Sequence, residues 1–299
     1  MSYNIGESIS ELRAYLNITQ KELAEGICTQ TLISKIEKEH TTPSAVLLYE
    51  LAEKMGVDIN YFFEQSFNCK FDYIKEVQQQ VREAIKLKNY STAKELLNIE
   101  KNNPLFMGIE NKQFILWNEG IIVYYLEKNT KKALSILNQS LELRKSAKKT
   151  YGIQDIEILN SIGIIHGEEN LLSEAISIFD NLYNILKQSK FDQYDDIKIK
   201  ILYNYAKELT RSEEYEKAKE ICLEGVRHCM NKQTFYLLGN FYYQIGYIEF
   251  LNKSYKKALF NFTKASEVFN VSQNSLYLNF TNKKIEEIKK IINAPTSDL

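Results

Sequence analysis

Four asparagines recur along this 299-residue chain, Asn118, Asn160, Asn204 and Asn240, separated by 42, 44 and 36 residues. A carboxamide carries one acceptor and two donors. A row of them can pair with the backbone of an extended peptide without reading its side chains. Lys86 and Lys88 supply cations suited to a carboxylate, and Trp117, Tyr124, Tyr203 and Tyr243 supply walls for side-chain pockets. The competing reading makes each Asn a solvated helix residue in an Asn-rich chain. It suits any single one better than four at near-equivalent places. All of this is binding chemistry. There are no paired carboxylates with a metal or base partner, no nucleophile elbow and no phosphate loop, so neither an enzyme nor a metal or cofactor is expected. His166 and His228 stand alone and read as structural or surface residues. Cys28, Cys69, Cys222 and Cys229 lack metal-ligand or CxxC spacing, and Cys222 and Cys229 read as buried thiols.

The elements that must position these residues repeat. The segments NYSTAKELL, NTKKALSIL, LLSEAISIF, EYEKAKEIC and SYKKALFNF each carry one alanine: Ala93, Ala133, Ala175, Ala218 and Ala258, spaced 40, 42, 43 and 40 apart. Twelve residues before three of them lies another small residue, Gly163, Ala206 or Gly246. Small residues at both places let the two helices of a hairpin touch. Five hairpins are expected, at about 71–103, 110–147, 153–190, 195–230 and 233–270, with a closing helix from Leu276 to Ile292 over the apolar end. Val81 in the first repeat and Gly120, one residue early in the second, are the irregular members. Asn103-Pro104 and the polar run Gln188–Asp196 read as loops between repeats. The pattern resembles tetratricopeptide (TPR) repeats in the longer form found in bacterial peptide sensors. That resemblance implies a right-handed TPR-like superhelix with the first helix of each hairpin lining a concave face.

The first 64 residues are different. Ile5, Ile9, Leu12 and Leu16 recur at helical spacing. Thr19 with Glu22 three residues on makes a capping box for a second helix. Gly26 supplies a turn, and a third helix from about Thr29 to Lys38 turns Ile33 and Ile36 inward. Pro43 and Ser44 open a fourth helix, and Asp58 caps a short fifth. The run Gln20, Ala24, Gly26, Ile33-Ser34, Ile36-Glu37 resembles the five-helix helix-turn-helix domain of the lambda-repressor/Xre class. By that resemblance Gln30, Thr31, Ser34 and Lys35 are candidates to read bases, and Gln20, Thr29 and Lys38 to hold phosphates. These 64 residues carry five basic and ten acidic side chains, a net of −5. A single acidic copy binds DNA poorly, because phosphate neutralisation supplies most non-specific affinity. Two copies on two half-sites are therefore expected, with the acidic side chains turned away from the groove.

The expected organisation is all-α: a DNA-binding domain over 1–64, a connector helix over 65–88 that merges into the first repeat, and a peptide-sensing and dimerisation domain over 71–292. The two halves together resemble the RRNPP (Rap/Rgg/NprR/PlcR/PrgX) family of peptide-responsive quorum-sensing regulators of Gram-positive bacteria. The likeness is to its PlcR-like members, through the TQK-L-E-IC-Q register, Trp117, the YN-AK at Tyr203–Lys207 and the YYQ-G at Tyr242–Gly246. It implies a cytoplasmic homodimer that holds a short re-imported signalling peptide in the repeat groove and presents two helix-turn-helix domains to a palindromic operator, more often as an activator. The family's peptide-contacting positions match Lys86, Lys88, Asn160, Asn204 and Asn240, the last being Asn where Gln is usual. The alternative is a TPR adaptor or antitoxin-like protein that grips a protein partner. A net charge of −1 and the lack of an apolar run long enough to span a bilayer leave no expectation of a membrane partner.

Overall fold

The computed structural model describes residues 5–38, 41–65, 68–145, 151–188 and 195–293, and every regular element in them is helical. The chain divides into two compact units, residues 1–108 and 109–299.

The first unit opens with α1 (Ile5–Tyr15), α2 (Gln20–Ala24), α3 (Gln30–Glu37), α4 (Ala45–Met55) and α5 (Asn60–Gln65). Short-range signals set their ends. The Thr19 backbone N–H donates to the Glu22 carboxylate at 2.7 Å, and the Glu22 N–H donates back to Thr19 Oγ1 at 3.2 Å, which is the expected capping box. Thr29 and Ser44 cap α3 and α4 by accepting from the Leu32 and Leu47 N–H groups. Gly56 ends α4 at φ +72°, a conformation that favours glycine. Ile9, Leu23, Ile33, Ile36, Leu51 and Phe62 are buried together as one core. Leu16, grouped by spacing with Ile5, Ile9 and Leu12, still donates to the Leu12 carbonyl at 2.9 Å, but α1 stops at Tyr15, Asn17 turns left-handed at φ +56°, and Leu16 is left 38% exposed. Gly6 lets α1 lie directly on α3, since a Cβ there would sit 2.0 Å from the Ile36 carbonyl oxygen.

The first hairpin, α6 (Asn68–Lys86) and α7 (Tyr90–Glu100), belongs to this same unit. Residues 66 and 67, inside the connector expected over 65–88, lie outside the described residues. Asn103 caps a 3-10 turn, Pro104–Phe106, where a plain loop was expected.

The second unit holds four hairpins and a closing helix: α8 (Ile109–Glu127) with α9 (Thr130–Lys145), α10 (Ile153–Glu168) with α11 (Leu172–Gln188), α12 (Asp195–Arg211) with α13 (Tyr215–Asn231), α14 (Leu238–Leu251) with α15 (Tyr255–Val271), and α16 (Ser275–Asn293). The repeat alanines are fully buried wherever they occur. The small residues of the first helices face large ones sixteen or seventeen positions on. A Cβ on Gly163 would meet the Phe179 ring at 2.8 Å, one on Gly246 the Phe262 ring at 3.1 Å, and one on Gly120 the Leu137 side chain at 2.7 Å. The early placement of Gly120 is absorbed by a smaller partner. α16 packs on α15 and buries Thr281, Ile285 and Ile288, but Leu276, Phe280 and Ile291 stay exposed.

The turns inside the hairpins repeat as well. Lys88, Lys128, Asn170, Glu213 and Lys253 all have φ between 54° and 64°, each two residues before the second helix of its hairpin. A left-handed residue there ends the first helix and reverses the chain.

Candidate functional site

A polar seam crosses the first helices of the four hairpins in the second unit. Trp117 Nε1 on α8 donates to Ser161 Oγ on α10 at 2.9 Å. Asn204 Nδ2 on α12 donates to Asn160 Oδ1 on α10, also at 2.9 Å. Tyr203 on α12 lies beside Asn240 on α14, whose amide favours the ionised phenol, while burial pushes that phenol up more strongly. Three sequence-predicted asparagines are thereby brought to one continuous surface. No other described residue engages Asn160 or Asn204, so Asn160 keeps both N–H donors and Asn204 keeps its carbonyl. That is what the backbone of an extended chain needs.

Asn118 is different. It is 1% exposed, and its Nδ2 donates to the Phe114 carbonyl one turn back on α8 at 2.7 Å. It spans a helix interior rather than facing a ligand, and the row of accessible asparagines on this unit is Asn160, Asn204 and Asn240. Periodicity alone placed Asn118 with them, because spacing does not encode which side of α8 is covered.

The aromatic candidates are anchored. Tyr203 meets Phe241 edge to face at 5.9 Å, Tyr243 meets Phe262 at 5.0 Å, and Trp117 meets Phe114 at 6.1 Å. The Tyr124 and Tyr125 hydroxyls donate to Glu169 and Glu168, tying the end of α8 to the end of α10. Burial, with the Glu169 bond, pushes the Tyr124 phenol up. Ser161 was not singled out by sequence. A lone serine beside an asparagine carries no signal until Trp117 is seen to reach it.

Lys86 and Lys88 belong to the first unit, at the end of α6, and both are exposed. Lys88 is also the left-handed turn residue of its hairpin, equivalent to Lys128 and Lys253.

On the helix-turn-helix, Gln30, Thr31, Lys35 and Lys38 are exposed along α3, and Ser34 is half-buried. Thr29 is the α3 cap, and its hydroxyl accepts from Leu32. Gln20 is held within the fold, since its Nε2 donates to Glu37 Oε2 at 2.8 Å. Glu37 also takes a two-pronged pair from Arg13 at 2.6 and 2.9 Å. The acid of α3 is therefore turned onto α1 and α2, and the exposed side of the helix shows two lysines. Leu32 packs partly on the core.

Cys222 and Cys229 are both buried free thiols, and burial pushes each above the usual thiol value. Among the described residues no group of His, Cys, Asp or Glu could hold a metal ion, and no helix is long and apolar enough to cross a membrane.

A profile described as the RNPP family C-terminal domain matches residues 78–289, and a helix-turn-helix profile matches residues 9–62. Among solved structures, PlcR of Bacillus thuringiensis in complex with the peptide PapR7 and DNA is similar, with a TM-score of 0.80 and 24% identity, over 94% of this chain and 99% of that one. The SHP pheromone receptor Rgg2 of Streptococcus dysgalactiae has a TM-score of 0.66 and 14% identity, over 95% of this chain and 99% of that one. ComR of S. thermophilus, in complex with DNA and its signalling peptide, has a TM-score of 0.62 and 14% identity, over 95% and 99%. Among curated proteins nothing matches.

Proposed function

The chain belongs to the RNPP family of peptide-responsive helix-turn-helix regulators, and from that premise we propose that it works in the cytoplasm as a homodimer on a palindromic operator, activating transcription when a short re-imported peptide occupies the repeat groove. The observation that carries the peptide half is the seam from Trp117 and Ser161 through Asn160 and Asn204 to Tyr203 and Asn240, which leaves backbone-pairing groups free on one surface. The exposed side of α3 supports the DNA half, with Gln30, Thr31, Ser34 and Lys35 towards bases and Thr29 and Lys38 towards phosphate. The net of −5 over residues 1–64 supports two copies rather than one. Peptide and operator must then strengthen each other equally, because coupling between binding sites is reciprocal.

The test is selection of sites from random duplex DNA by the full-length protein at one salt concentration, with and without a peptide fraction from dense cultures of the source organism. A palindrome enriched more strongly with the fraction is expected. A palindrome indifferent to it would remove the peptide half, and no enrichment in either arm would leave the adaptor reading.

Two substitutions refine the sites. Asn204→Ala removes one amide contact and its bond to Asn160. It is expected to weaken the peptide response by about 1–3 kcal/mol, read as the peptide concentration at half-maximal operator binding. An unchanged midpoint would count against the seam. Lys35→Ala is expected to relax base preference at one operator position, seen in the same selection. A uniform loss over all sequences would make Lys35 a phosphate contact.

A further inference from the structure

We propose that Lys200 is the specificity residue of this groove and takes a carboxylate of the bound peptide; the inference rests on the peptide-groove reading above. Lys200, Asn204 and Lys207 lie at i, i+4 and i+7 on α12, so they share one side of the helix. Leu202, Tyr205 and Leu209 occupy the opposite side and are buried. The Asn204–Asn160 bond fixes which surface that exposed side belongs to: the one carrying the free amide groups.

The cations of α12 are otherwise committed. Lys198 pairs with Glu224 at 3.5 Å, Lys207 with Glu208 at 3.4 Å, and Arg211 binds Glu208 at 2.5 Å and the Gly167 carbonyl at 2.6 Å. Lys200 is half-buried, and no described residue pairs with its ammonium. It is one helical turn from the amide proposed to hold the peptide backbone. A backbone held by Asn160 and Asn204 therefore brings its nearest carboxylate within reach of the one cation of this helix that no described residue pairs with. The asparagines bind any extended peptide alike, so discrimination must come from side-chain contacts such as this one.

The carboxylate has two sources, an Asp or Glu side chain or the peptide's own C-terminus. The experiment separates them. Full-length wild type, Lys200→Gln, Lys200→Glu and Asn204→Ala are each incubated with two randomised synthetic heptapeptide pools, one ending in a free acid and one in an amide. Retained peptides are sequenced by mass spectrometry, and circular dichroism checks each fold. Wild type is expected to show about tenfold enrichment of Asp or Glu at one position in both pools, or about tenfold greater retention of the acid pool, the size of one good ion pair. Lys200→Gln should lose that preference and Lys200→Glu should reverse it, while both still retain peptides. Peptides retained by wild type without either preference, or the same preference in both Lys200 variants, would overturn the assignment and leave the groove standing. No peptide retained by wild type from either pool would overturn the groove reading and this inference together.

Discussion

Replacing Arg13 by alanine is expected to destabilise the helix-turn-helix bundle by about 3 kcal/mol at neutral pH, because it strands the Glu37 carboxylate. The Glu37 side chain is only 5% exposed, and the guanidinium spans it with Nε and Nη2. Burial pushes the Glu37 carboxyl up, but the hydrogen bonds from Arg13 and Gln20 and the Arg13 charge outweigh it and hold the group below the ordinary glutamate value. A depressed folded value contributes stability above the unfolded value, and that contribution is lost as pH falls through the folded one. In Arg13→Ala the burial effect dominates instead, so the carboxyl moves up and its protonation relieves the strain. The gap between variant and wild type should therefore narrow as the solution is acidified. Hydrogen exchange of the α1–α3 amides at several pH values is the measurement. Arg13→Ala with Glu37→Gln should recover much of the loss, since no charge is then left buried. Unchanged exchange in the single variant would mean the pair is peripheral to this bundle. The functional consequence is direct, because Glu37 ends α3 and its bonds to Arg13 and Gln20 set how that helix sits on α1 and α2.

In the second unit the largest effect is expected for Phe241→Ala, about 3–5 kcal/mol, the usual range for emptying a buried aromatic site. Phe241 is fully buried. One edge of its surroundings is Gly225 on α13, where an added Cβ would fall 2.3 Å from the ring, and another is the Tyr203 ring. The glycine makes the argument testable in both directions. Gly225→Ala should be harmful alone, because the ring has to move. In the Phe241→Ala background it should be favourable, since the methyl enters the cavity and alanine is the better helix former by about 1 kcal/mol. Such sign reversal is the mark of two residues sharing one space. Hydrogen exchange over α12–α14 reads it, and additive effects would show that the cavity closes by other means. Phe241→Ala should also blunt the peptide response, because Tyr203 loses the wall that holds it against Asn240.

Much of the fold was legible because it is written in short-range signals. The Thr19–Glu22 capping box and the buried repeat alanines depend on neighbours within a few residues or on a fixed period. Leu16 keeps the period of its group but not its burial, because the left-handed Asn17 that follows turns the chain away. The turn residues of the hairpins gave no sequence signal, since lysine, asparagine and glutamate all fill them.

By itself the sequence determined the all-helical class, the period of the repeats, and the residue types available for binding. Helix period and small-residue spacing are local properties, and they survive without knowledge of contacts. Only the tertiary structure decided which side of each helix remains open. Asn118 and Asn204 look alike in sequence, but one is covered on α8 and the other meets Asn160 across a helix boundary. Gln20 and Glu37, seventeen positions apart, are joined only because α2 and α3 fold onto α1. Lys200 stood out only when the other cations of α12 were seen to be paired. Burial and pairing depend on what lies across the chain in space, and that is information a single helix does not carry.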